Sequence, residues 1–139
     1  MGLKKTIAPK EVFLSHSSRN NAFVQKFAQA LQAQGIKVWY SAAHIRGAQQ
    51  WHDEIGLALK RCDWFAVILS PSSVRSRWVK RELIHALNDP RYDERILPVL
   101  YKKCDLEELS WTLSAFQTVN FTQSFESGWH ELKRIWTLP

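Results

Sequence analysis

Residues 63–70 read DWFAVILS, and this run contains no polar residue from Trp64 to Leu69. A strand with one solvated face alternates apolar and polar residues, which this run does not do. Unbroken aliphatic and aromatic runs are typical of parallel strands that helices cover on both faces. The run therefore predicts the central strand of a parallel β-sheet.

Further strands are predicted on both sides of this run. Short apolar segments occur at 11–15 (EVFLS), 36–40 (IKVWY) and 96–100 (ILPVL), and a weak one occurs near 118–121. Pro98 favours an irregular or peripheral position for its strand, because proline has no backbone N–H to donate to a ladder.

Amphipathic helices are predicted between the strands, because apolar residues recur there three and four positions apart. Their apolar faces carry Phe23, Val24, Phe27, Ala28, Ala30 and Leu31 in the first helix, Trp51, Ile55, Ala58 and Leu59 in the second, Val79, Leu83, Ala86 and Leu87 in a third from about 77 to 88, and Phe125, Trp129, Leu132 and Trp136 in the last. We expect Ser17 or Ser18 to cap the first helix and Gly35 to end it.

Residues 41–50 have no clear period and contain Gly47, so we predict a loop there. Asp53 and Glu54 are expected in the first turn of the helix that follows, where the helix dipole favours acidic side chains. A short helical piece is expected around 106–109.

Alternating strands and helices predict an α/β fold, a doubly wound parallel sheet of about five strands with helices on both faces. We expect one domain at 10–139 after a flexible tail at 1–9. In such sheets ligands bind at the carboxyl ends of the strands. This rule directs attention to His16, to the loop at 41–50 and to the segment after Ser70.

Composition excludes several classes of protein. The chain has 139 residues, of which 45% are apolar, enough for one sizeable core. No apolar run approaches the roughly 18 residues of a membrane span, and no signal peptide is apparent. Two cysteines are too few for a disulfide framework, so we expect a cytoplasmic protein. The net charge of +6 is dispersed rather than clustered, which disfavours nucleic acid as the main partner.

The common chemistry-bearing motifs are also missing. The sequence has no GxGxxG, no GKS or GKT and no GxSxG, so it offers no dinucleotide fingerprint, P-loop or nucleophile elbow. Histidines and cysteines are scattered without the spacing of metal ligands, so we expect no metal site.

Trp78 and Glu82 are the remaining candidates, because residues four apart lie on one face of a helix. Lys80 and Arg81 are expected to diverge from Glu82 around the helix. A carboxylate beside an indole at the ligand-binding edge is a candidate for an active site. The spacing alone favours the simpler interpretation, a tryptophan at the edge of the core and a solvated glutamate, because WxxxE often occurs by chance.

The order of motifs along the chain resembles the Toll/interleukin receptor (TIR) domain, especially the bacterial and axonal members that cleave NAD+. The segments that carry the resemblance are EVFLSHSS, GIKVWYS, DWFAVILSPSS and WVKREL, and it extends over about 10–137. It implies a five-stranded, flavodoxin-like parallel sheet. It also implies that Glu82 is the catalytic residue, in a WxxxE motif with Trp78.

Further substrate-binding residues are implied by the same resemblance. They are Phe13, Ser15 and His16 at the end of the first strand, Trp39 at the end of the second, and Arg46 and Trp51 around Gly47. Each also has a structural interpretation: Trp39 as a core residue, Trp51 as packing of its helix and Arg46 as a solvated charge. The loop at 41–50 would close over the substrate and contribute to assembly.

Two departures from the family pattern occur at this loop. Residues 41–43 are Ser-Ala-Ala where acidic residues are common, which puts the usual polar contacts at the loop's root in doubt. The loop also lacks the proline typical of receptor and adaptor members, which favours the enzymatic branch.

The implied function is therefore an NAD+ glycohydrolase or cyclase in bacterial immune signalling, activated by self-association, with a sensor domain that is fused or separate. NAD+ would be the substrate, and no cofactor is expected. The alternative is a non-catalytic scaffold that assembles through homotypic contacts.

Overall fold

A computed structural model describes residues 8–40 and 48–139, together with the side chains of these residues except 48–52. The predicted tail therefore lies, from 1 to 7, outside the described residues. The described part contains a parallel sheet with the strands β1 (Glu11–Ser15), β2 (Lys37–Tyr40), β3 (Trp64–Leu69), β4 (Ile96–Leu100) and β5 (Val119–Asn120). Their order is β2-β1-β3-β4-β5. The predicted α/β fold and its central strand are confirmed.

Helices connect the strands. They are α1 (Asn21–Ala33), α2 (Ala48–Arg61), α3 (Pro71–Val74), α4 (Arg77–Leu87) and α5 (Phe125–Ile135), with 3₁₀ turns at Ser18–Asn20, Pro90–Tyr92, Leu106–Glu108 and Trp111–Ala115. Gly35 follows α1 with a φ of 81°, so it is the helix stop that the sequence predicts.

The sheet separates two apolar clusters, because successive strand residues point to opposite faces. Val12, Leu14 and Ala66 pack with α1 and α5 on one face. Phe13 and Val67 pack with α2 and α4 on the other. In β1 and β3, the apolar even-numbered residues therefore pack with α1 and α5, and the apolar odd-numbered residues pack with α2 and α4.

A topological switch point lies between β1 and β3. The chain leaves β1 through α1 on one face, whereas it leaves β3 through α3 and α4 on the other. The crevice between diverging connections at the carboxyl ends of two strands is the usual ligand position in such sheets.

Three local predictions differ from the structure. The helix expected to follow residue 50 begins at Ala48, so Asp53 and Glu54 are not in its first turn. Ser17 caps the 3₁₀ turn, its hydroxyl oxygen accepting from the Arg19 amide, rather than capping α1. The sequence predicts no helix between Ser70 and residue 77, yet the short helix α3 begins at Pro71, because proline suits the first turn of a helix, where no N–H is needed.

Pro98 does not place β4 at the edge of the sheet, since β4 lies between β3 and β5. Leu100 O accepts from Phe121 N, so even-numbered residues of β4 direct their backbone groups toward β5. The β5 pairing begins only at Val99. The Pro98 nitrogen points toward β5 at a position before the β4–β5 ladder starts. Its missing N–H therefore removes no hydrogen bond from that ladder, and proline is tolerated.

Among residues 8–40 and 48–139, no helix is both long enough and apolar enough to cross a lipid bilayer.

Candidate active site

Glu82 is buried at the carboxyl edge of the sheet, with 3% of its surface exposed. Its Oε1 atom accepts a hydrogen bond from the hydroxyl of Ser15, at 2.6 Å. Ser15 is the last residue of β1 and is fully buried. The interpretation of Glu82 as a solvated charge is therefore wrong. A carboxylate is buried only where hydrogen bonds or charges compensate for lost water, and Ser15 supplies one such bond.

The position of Glu82 follows from how α4 begins and packs. Ser76 caps the helix, its hydroxyl accepting from the Val79 amide at 3.2 Å. Val79 and Leu83 are fully buried against the sheet. Glu82, between them in sequence, consequently lies where α4 passes the end of β1.

A cavity of about 200 Å³ adjoins Glu82 between α2 and α4. Its lining residues are Ile55, Gly56 and Leu59 from α2 and Trp78, Arg81, Glu82 and His85 from α4. The α2 wall is apolar, whereas α4 contributes an indole, a guanidinium, an imidazole and a carboxylate. Such a mixture of apolar walls with a few convergent polar groups is typical of small-molecule sites.

Arg81 is exposed whereas Glu82 is buried, as expected from their divergence around the helix, yet both contribute to the lining of this cavity. Trp78, Arg81 and His85 are spaced by three and four residues, the spacing of neighbours on one helical face. That signal was present in the sequence and identifies Arg81 and His85 as well as the WxxxE pair.

Phe13 and Trp39 lie on the same face of the sheet as Glu82. Their rings stack with centroids 5.0 Å apart, and Phe13 is fully buried while Trp39 is half-buried. Phe13 also stacks on Phe65. These aromatic side chains form part of the apolar cluster beneath Ser15, the last residue of β1.

His16 directly follows Ser15 and is buried. Its ring packs edge-on against Tyr40, whose side chain belongs to the cluster on the α1 and α5 face. Its Nδ1 lies 3.3 Å from Leu14 O. Burial raises the pKa of the Tyr40 hydroxyl. Arg46 lies outside the described residues, and Trp51 belongs to α2 with its side chain outside them.

A buried polar cluster that the sequence analysis did not identify joins the loops after β1 and β3. The Ser70 hydroxyl donates to Asn20 Oδ1 at 2.7 Å and lies 3.0 Å from the Ser72 hydroxyl. Asn20 and Ser70 are 7% and 1% exposed. This cluster stabilises the switch-point crevice by tying its two walls together.

A larger cavity, of about 520 Å³, lies at the amino end of β4. Ala86 and Leu87 line it together with Asp93 and Glu94. We assign the site to the smaller cavity, because this one is remote from the carboxyl edge of the sheet and its two acidic residues would repel an anionic ligand.

No group of three or more histidine, cysteine, aspartate or glutamate side chains that could hold a metal ion occurs within residues 8–40 and 48–139.

Known proteins are similar to this chain in sequence. The family model described as "TIR domain" matches residues 12–133. The "Probable 2' cyclic ADP-D-ribose synthase TcpO" of Methanobrevibacter olleyae is 29% identical over 85% of this chain and 37% of its own length. The "NAD(+) hydrolase TirS" of Staphylococcus aureus is 28% identical over 71% of this chain and 36% of its own length. The chain thus spans little more than a third of these relatives.

The fold is also found among solved structures. The TIR domain of the Toll-related receptor TRR-2 from Hydra magnipapillata superposes with a TM-score of 0.70 and 17% identity, covering 88% of this chain and 94% of that one. At this identity the likeness establishes the fold alone.

Proposed function

Because this chain belongs to the TIR domain family, we propose that it cleaves NAD+ between nicotinamide and ribose. The observation that carries the proposal is the buried Glu82 carboxylate beside Trp78 at the switch-point edge of the sheet. Relatives named for NAD+ hydrolysis and for synthesis of cyclic ADP-ribose support it.

The chemistry needs only one carboxylate. Nicotinamide in NAD+ is a cationic pyridinium, so it takes the electron pair of the broken bond to ribose and leaves as a neutral molecule without a general acid. The ribose is left as an oxocarbenium ion, which a fixed negative charge stabilises. Glu82 would supply this charge and orient the ribose hydroxyls.

Two outcomes follow from the same intermediate. Water can attack the ribose carbon and lose a proton, which gives linear ADP-ribose. A hydroxyl of the substrate can attack instead, with loss of its own proton, and give a cyclic product. We propose that the chain forms one or both, and mass spectrometry of the products distinguishes them.

Trp78 and Arg81 would bind the rest of the substrate. The indole offers a flat apolar surface against which a ring stacks. The guanidinium, which is always charged, suits the pyrophosphate. Both side chains line the cavity with Glu82.

The described cavity is too small for the whole dinucleotide. Its volume of about 200 Å³ lies below the roughly 300–1,000 Å³ of complete ligand sites. We propose that Arg46 contributes to substrate binding, as the family resemblance implies, and that a second copy of the chain completes the site. Activity would then depend on self-association, and we assign this activity to bacterial immune signalling on the family resemblance.

A non-catalytic scaffold is the second candidate function. Leu57 and Ile84, from the two helices that line the cavity, are 63% and 46% exposed, and such apolar side chains suit homotypic contacts. This candidate requires no chemistry from Glu82, so the two functions are separable by experiment.

The test is NAD+ consumption by purified protein at high concentration, with and without a crowding agent, for the wild type and Glu82→Gln. Glutamine keeps the shape and an acceptor oxygen for Ser15 but removes the charge. We expect release of nicotinamide by the wild type and a loss of at least roughly hundredfold in the variant.

Glu126→Gln is the matched control, because Glu126 is exposed on α5, which packs on the opposite face of the sheet. It should retain wild-type activity. Equal activity in Glu82→Gln would mean that another group is catalytic. No consumption by any of the three proteins would favour the scaffold.

A further inference from the structure

We propose that Ser15 is a positioning residue, whose hydroxyl holds the Glu82 carboxylate in its reactive orientation. This inference rests on the proposed function, since it assigns to Ser15 a role in the action of Glu82. It differs from the role in substrate contact that the family resemblance implies for Ser15.

The length of the contact supports this role. At 2.6 Å, the Ser15 Oγ to Glu82 Oε1 distance falls in the range of charge-assisted O–H···O⁻ bonds. A serine has one hydroxyl proton, and a carboxylate can only accept. The Ser15 proton is therefore committed to Glu82 rather than available to a ligand.

The placement of Ser15 makes it a rigid support. It ends β1 and is in register with Val67 of the central strand. Both Ser15 and Val67 are fully buried. The hydroxyl is therefore fixed by the sheet, while Glu82 comes from a helix 67 residues later in the chain. The bond joins the end of β1 to α4, one of the connections that diverge at the switch point.

The surroundings explain why a hydroxyl matters at this position. The neighbouring cluster on this face is apolar and includes Phe13, Val67 and Val79. Around the cavity, the described charged or titratable side chains besides Glu82 are Arg81 and His85 from α4, while α2 contributes apolar residues and a glycine. Beyond β1, the chain continues into His16, which packs against Tyr40.

Two consequences follow from a donor that holds one carboxylate oxygen. The plane of the carboxylate is fixed relative to the substrate. Loss of the Ser15 hydroxyl should therefore affect kcat more strongly than KM. A hydrogen bond to the charged form also favours that form. Ser15 therefore extends the activity of Glu82 to lower pH.

The test compares Ser15→Ala and Ser15→Thr with the wild type in kcat, KM and the pH profile of kcat/KM. For Ser15→Ala we expect kcat to fall roughly tenfold to hundredfold, as for the loss of a bond to a charged group, with KM within about twofold. The acid limb of the profile should move up by about one pH unit. Ser15→Thr keeps the hydroxyl, so we expect its kcat and the position of its acid limb to lie close to those of the wild type.

Ser70→Ala is the matched control. Ser70 is equally buried and hydrogen-bonded at the same edge of the sheet, but its hydroxyl bonds to Asn20, Ser72 and Ser73 rather than to Glu82. It should lower the thermal midpoint without moving the acid limb. A limb that moves equally in both alanine variants, or in neither, would overturn the proposal.

Glu82→Gln separates this proposal from the proposed function. If that variant stays active, the assignment of Glu82 fails, whatever Ser15 does. If it is inactive while Ser15→Ala keeps the wild-type kcat and pH profile, only the positioning role fails. If neither the wild type nor any variant cleaves NAD+, an NMR titration of the Glu82 carboxyl in the wild type and in Ser15→Ala still tests the hydrogen bond. The titration midpoint of Glu82 must then be higher in Ser15→Ala than in the wild type.

Discussion

Trp78 and Glu82 differ in how far they are withdrawn from water, although they occupy one face of α4. Glu82 is buried, whereas Trp78 is half-buried and lines the cavity with part of its indole. A buried charge acts on whatever enters the cavity, because little water screens it. The half-buried indole is positioned to stack on an entering ring. At the scale of single residues, the site thus divides into a charge and a stacking surface.

We expect Trp78→Ala to raise KM for NAD+ by roughly tenfold to hundredfold, since stacking on an aromatic side chain contributes about 1–3 kcal/mol. Trp78→Phe retains a ring and should lose much less. Steady-state kinetics with nicotinamide detection measures both. Trp111→Ala is the control, because Trp111 is 78% exposed and lies outside the cavity lining. A KM unchanged in Trp78→Ala would exclude a stacking role.

Two glycines show how helices α2 and α5 differ as elements. Gly56 of α2 lines the cavity, and a Cβ atom built on it meets nothing within 4 Å. Gly128 of α5 is buried, and a Cβ atom there would lie 2.4 Å from the Phe121 ring. The glycine in α5 is required by close packing, whereas the one in α2 leaves space beside Glu82.

Alanine at the two positions should therefore have opposite effects. Gly56→Ala should increase the free energy of unfolding by about 0.4–1 kcal/mol, because alanine is the better helix former. Gly128→Ala should decrease it by about 1–3 kcal/mol through overpacking against Phe121. Urea denaturation of both variants checks the signs. A loss of stability in Gly56→Ala would mean that the space beside it is filled.

Ion pairing and buried acids link the stability of the whole molecule to pH. Arg61, at the end of α2, donates two hydrogen bonds to Glu11 of β1, at 2.8 and 2.9 Å. This hydrogen bonding holds the pKa of the Glu11 carboxyl below its usual value. Burial raises the pKa of the Cys62 thiol to about 12 and raises the pKa of the Tyr92 hydroxyl.

These shifts predict a stability maximum between acid and alkaline losses. The Glu11 contribution is present above its unfolded pKa and is lost as pH falls through the lower folded value. Cys62 and Tyr92 keep their protons in the folded state, so their unfolded forms gain by ionising above about pH 8.5 and 10. These groups titrate between about pH 3 and about pH 11. We expect thermal midpoints measured over this range to be highest between about pH 5 and 8.

Substitutions of Glu11 and Cys62 test which group causes the acid decline and which causes the alkaline decline in stability. Glu11→Gln should flatten the acid decline, and Cys62→Ala should flatten the alkaline one while lowering the midpoint at neutral pH. If the alkaline decline is as steep in Cys62→Ala as in the wild type, the buried thiol does not cause it.

Much of this architecture was readable in the chain because its causes are local. The apolar run at 64–69, the helical spacing of α1 and the stop at Gly35 each depend on neighbours within a few residues. The same holds for Trp78 and Glu82, which share a helical face through i, i+4 geometry. The family resemblance adds the functional meaning of that pair.

Features that depend on residues distant in sequence became visible only in the folded chain. The bond between Ser15 and Glu82 joins positions 67 residues apart, and that between Ser70 and Asn20 joins positions 50 apart. The tolerance of Pro98 in a strand inside the sheet depends on where β5 begins to pair with β4. The periodicity of the sequence does not predict such contacts. Strand order and the packing of helices on each face bring the residues together, and both are properties of the assembled sheet.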